Sequence, residues 1–73
     1  MWSDKRALQV YTKVFPLDRV ADNDPRRESI VNEMNAVRFA PTPERAAMEI
    51  AWWGWDDEFT ALDAARRIRR FKA

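Results

Sequence analysis

The stretch Thr42-Pro43-Glu44-Arg45-Ala46-Ala47-Met48-Glu49-Ile50-Ala51-Trp52-Trp53-Gly54 decides the fold. It opens with a hydroxyl suited to an N-cap, then a proline whose missing N–H is not needed in a first turn. Glu44 follows, a carboxylate placed at the positive end of the helix dipole. The stretch closes on glycine, the residue that most readily takes the left-handed conformation at a helix stop. Between these marks Glu44, Arg45 and Glu49 are the only polar residues. The pattern predicts a helix over 43–53, apolar almost all round and therefore the central, most buried element. Trp52, one turn beyond Met48, is the expected core ring.

Working outward, prolines at 16, 25, 41 and 43 and the glycine at 54 divide the chain into four segments of helical periodicity. The first starts at Ser3, a plausible cap, and places Ala7, Leu8, Val10, Tyr11, Val14 and Phe15 on one face, predicting a helix over 4–15. After an Asp- and Asn-bearing linker, Asp24-Pro25 reads as cap and first-turn proline. The expected helix over 25–39 buries Ile30, Val31, Met34 and Val37. In the last segment Phe59, Leu62, Ala65 and Ile68 recur at helical spacing, with Ala61, Ala64 and Phe71 widening the stripe, predicting a helix over 57–71. Thr42-x-x-x-Ala46-Ala47-x-x-Ile50 and Thr60-x-x-x-Ala64-Ala65-x-x-Ile68 share one pattern, read as two similar helix starts rather than a repeat array. The expected fold is an all-α, four-helix single domain spanning 1–73, with short connections.

Composition narrows the function classes. A chain of 73 residues is near the size at which one core supplies only about 3–5 kcal/mol of net stability. With no Cys and no His, disulfides are excluded and zinc lacks its usual ligands. Association with another chain is the remaining reinforcement. The missing cysteine fits a reducing compartment, so a cytoplasmic location is expected. No run approaches the length of a membrane span and the start carries no apolar leader-like core.

The same absences speak against an enzyme, because the commonest general base and the best nucleophile are missing. The acidic run Asp56-Asp57-Glu58 suits a first helical turn rather than acid–base work. Asp18, Asp22, Asp24 and Glu28 lack the central glycine and ligand spacing of a calcium loop. No cofactor and no metal are expected.

Two features point to binding. Three of the four tryptophans fall within residues 52–55, and successive helical positions face different ways, so one small core cannot take every ring. Trp53 or Trp55 is expected as an exposed anchor, while Trp2 either closes the bundle or joins that patch. The second feature is charge. Residues 1–65 carry eight Lys/Arg against twelve Asp/Glu, whereas residues 66–73 carry five Lys/Arg and no acid.

The leading expectation is a non-enzymatic protein-binding module or regulator. Its proposed contact residues are Trp53, Trp55, Arg66, Arg69 and Arg70, and its partner is another protein or a second copy in a homodimer. Such a make-up is common in accessory proteins of phages and mobile elements, which makes that origin one expectation. The alternative is a DNA- or RNA-binding regulator using Arg66, Arg67, Arg69, Arg70 and Lys72.

Overall fold

Hydroxyl caps open three of the helices. The computed structural model describes residues 1–54 and 60–72. Among them run α1 (Asp4–Val14), α2 (Arg27–Arg38), α3 (Pro43–Trp52) and α4 (Ala61–Arg70), with no strand. Ser3, Thr42 and Thr60 each accept from the backbone N–H three residues on, at 3.2, 3.1 and 3.2 Å. The shared threonine pattern thus marks two equivalent starts, and α4 begins at Ala61 rather than 57 because extended Thr60 is its cap. Phe59 and the acidic run at 56–58 lie outside the described residues.

α2 also starts late. Asp24 Oδ1 accepts from the Arg26 N–H at 2.8 Å, so Asp24, Pro25 and Arg26 form an Asx-type turn and the helix opens at Arg27. The stop at Gly54 follows expectation. Its φ is +78° and its N–H donates to the Ala51 carbonyl at 3.1 Å, a conformation that a Cβ would strain.

The core is one cluster. α1 contributes Ala7, Val10, Tyr11 and Val14, with Phe15 just beyond its end. α2 contributes Ile30, Val31, Met34 and Val37, α3 gives Ala46 and Ile50, and α4 gives Ala64, Ala65 and Ile68. α2 and α4 each pack on all three other helices, while α1 and α3 do not touch. The expected place of α3 as the most buried element is therefore corrected: like α1 it packs only on α2 and α4, and it buries only Ala46 and Ile50. Its inward line is Ala46 and Ile50, with Trp53 continuing it half-buried, and Met48 and Trp52 lie on the opposite face. Trp52 is 89% exposed and Met48 62% exposed, so neither lines the core.

Trp2 takes the buried place instead, at 3% exposure. Asn35, a buried polar side chain, holds the chain there. Its Oδ1 accepts from the Trp2 N–H at 2.7 Å, and its Nδ2 donates to the carbonyls of Trp2 and Val31 at 3.3 and 3.1 Å. The radius of gyration is 11.2 Å, the value of about 11 Å that a compact chain of this length should have.

Candidate functional site

Two surfaces gather exposed side chains suited to binding, one on α3 and one between α1 and α4. On α3 the residues at i, i+3 and i+7 from Arg45 are Met48 and Trp52, which makes a ridge along the solvent side. Glu44 and Ala51 flank it, and all five residues are exposed. The Arg45 side chain forms no ion pair among the described residues. Scattered apolar side chains on a surface are ordinary, but a nearly bare indole beside a methionine one turn away is a typical contact anchor.

The residues expected to form the anchor take varied places. Trp53 packs partly buried against the core, and Trp55 lies outside the described residues. Arg69 turns inward to the end of α2, where its NH1 donates to the carbonyls of Val37, Arg38 and Ala40 at 3.3, 3.5 and 2.5 Å. They gather at the C-terminal end of α2, where the Val37 carbonyl also accepts from the Ala40 N–H at 3.4 Å, and a cation there suits the dipole. Arg69 is thus a clamp between α4 and α2. Arg66 and Arg70 lie on the exposed side of α4. Arg67, also exposed, pairs with Asp63 at 3.1 Å.

The second surface is a cleft of about 290 Å³ lined by Lys13, Val14, Arg67, Arg70 and Phe71. Among the described residues its lining holds three cations and no carboxylate. Phe71, partly buried on the core, organises two cations of α1: the Arg6 guanidinium carbon stands 5.6 Å and the Lys13 ammonium 6.0 Å from the ring centroid. Arg6 is further fixed by donating from Nε and NH2 to the Lys72 carbonyl, at 3.2 and 2.9 Å. Arg6 and Lys13 are seven residues apart and so share one flank of α1. Sequence reading missed them because that spacing gains meaning only once α4 is seen to end beside α1.

The acidic linker is occupied by its own arginine. Arg26 pairs with Asp18 through two hydrogen bonds of 3.0 Å and with Asp24 at 3.0 Å, and Tyr11 Oη donates to Asp18 at 2.5 Å. Hydrogen bonds from Arg26, with Tyr11 second at Asp18, hold both carboxyls below their usual range. Burial, followed by the bond to Asp18, pushes the Tyr11 phenol well above its ordinary value. Among the described residues no group of acidic side chains is arranged to hold a metal ion, and no helix is long and apolar enough to cross a membrane. Comparison with known proteins finds no matching family, no similar curated protein and no similar solved structure.

Proposed function

We propose that this chain is a small, non-enzymatic protein-binding module whose anchor is the outer face of α3. One observation carries the reading: Trp52 is nearly bare on a helix whose other face is packed, with Met48 one turn before it. The proposed anchor is thus Trp52 with Met48 in place of the half-buried Trp53, and the cation beside it is Arg45, while Trp55 lies outside the described residues.

The face fits a second copy of the chain. Met48 lies near the midpoint between Arg45 and Trp52. An antiparallel crossing of two α3 helices at Met48 brings each Arg45 over the partner copy's Trp52, roughly 10 Å along the axis from its own. Cation and ring are then satisfied twice by one two-fold operation. The proposal keeps the cytoplasmic location expected from the cysteine-free sequence.

Sedimentation across a wide concentration range tests it. The 8.7 kDa chain should rise toward twice its mass as concentration increases. Trp52→Ser and Met48→Ser should stay monomeric with unchanged melting. A parent that remains monomeric throughout, or a Trp52→Ser chain that associates as well as the parent, overturns the reading.

A further inference from the structure

From the cleft between α1 and α4, we propose a second binding site, one for the phosphodiester backbone of a nucleic-acid strand. The site is independent of the α3 face. Its charge is assembled from both ends of the chain: Lys13 comes from α1, and Arg67 and Arg70 come from α4. Arg6 stands beside them on the Phe71 ring.

Three features make this more than a solvated helix end. First, the lining has no carboxylate among the described residues, although acids are nearly as numerous as bases in the whole chain. Asp63, on the same helix, offsets part of the Arg67 charge and leaves Lys13 and Arg70 without an ion pair among the described residues. Second, the α1 cations are held in place before any ligand arrives. The ring faces the charged heads of Arg6 and Lys13, and the Lys72 carbonyl fixes Arg6. Ordered cations lose less freedom on binding than loose ones. Third, the cleft is concave and small, at the low end for ligand clefts. Its cations stand on two helices around an open recess, and the flexible backbone of a single strand can bring successive phosphates to them as a stiff duplex cannot, which favours a single strand as the source of the phosphates.

Lys and Arg divide the work in a way that fits this ligand. The two guanidinium forks of α4 match the paired oxygens of a phosphate, and the ammonium of Lys13 acts as a point charge across the cleft. With three phosphate contacts on a single strand, affinity should fall with salt at a log–log slope of about −2.

The test is fluorescence anisotropy with a labelled oligothymidylate, its duplex counterpart and polyglutamate as competitor, each at several salt concentrations. The expected result is saturable binding of the strand at low salt, with the slope given above. Lys13→Gln/Arg70→Gln should weaken binding by about tenfold and bring the slope to about −0.7, since one contact remains. Both residues are exposed, so the fold should survive, checked by an unchanged circular-dichroism melt. Arg19→Gln, which removes an exposed cation of the linker away from the cleft, should bind like the parent. No binding at low salt overturns the proposal, as does an equal loss in the Arg19→Gln control. Polyglutamate competing as well as the strand identifies an acidic protein surface as the true partner, and a duplex bound more tightly than the strand refutes the fit to the cleft.

Discussion

Asn35 shows how much one side chain holds. It is the one buried polar residue among those described, and its amide spends an acceptor and a donor on the backbone of Trp2, thirty-three residues away. Replacing it with alanine strands the Trp2 N–H and carbonyl in a dry site and loosens the largest ring of the core. Asn35→Ala should cost about 2–4 kcal/mol, read from the urea midpoint, and should expose the Trp2 fluorescence. Trp2→Phe should cost far less, because the buried indole N–H of Trp2 has no hydrogen-bond partner to lose. An Asn35→Ala chain as stable as the parent would show that the link from Asn35 to the Trp2 backbone contributes nothing to stability.

The scale of the helix is where the sequence was most legible and also where it misled. Caps and stops are chemical signals in adjacent residues, and Ser3, Thr42, Thr60 and Gly54 all act as their types require. Inward faces were equally readable on α1, α2 and α4, where polar residues mark the outside. α3 has apolar residues on every side, so periodicity shows that Met48 and Trp52 share a face without saying which way it points. The answer depends on where α3 sits in the bundle, which no local pattern holds. Arg69 is a similar case: the sequence places it in a basic run, and only the approach of α4 to the end of α2 turns it into a cap. Arg6 and Lys13 became part of a site for the same reason. A paired substitution tests the orientation of α3. Ile50→Ala removes a fully buried side chain and should cost about 2–4 kcal/mol, enough to threaten a domain of this size. Trp52→Ala removes a larger one from solvent and should change stability by less than about 0.5 kcal/mol, measured on dilute protein where no association contributes. Equal costs for the two would place Trp52 in the core after all.

For the molecule as a whole, pH reads out the network that ties α1 to the linker. Asp18 has its carboxyl lowered, first by Arg26 and then by Tyr11, so its contribution to stability is complete above the unfolded value of about 4 and is lost as pH falls through the folded value. Tyr11 is shifted upward, chiefly by burial, so its contribution is complete below the unfolded value of about 10 and is lost as pH rises, when the unfolded chain ionises and the folded chain does not. The contribution of this pair should therefore be flat between these limits and fall at both ends. Tyr11 is the only tyrosine, so tyrosinate absorbance reports on this one group without ambiguity. In the parent that absorbance should appear together with the loss of helical circular dichroism, in one transition above pH of about 10. Tyr11→Phe should flatten the alkaline fall in melting temperature and weaken the acid one, because Asp18 loses a donor. Tyrosinate forming near pH 10 while the helices remain intact would mean that the phenol is open to water, and the coupling of α1 to the linker through Tyr11 would have to be abandoned.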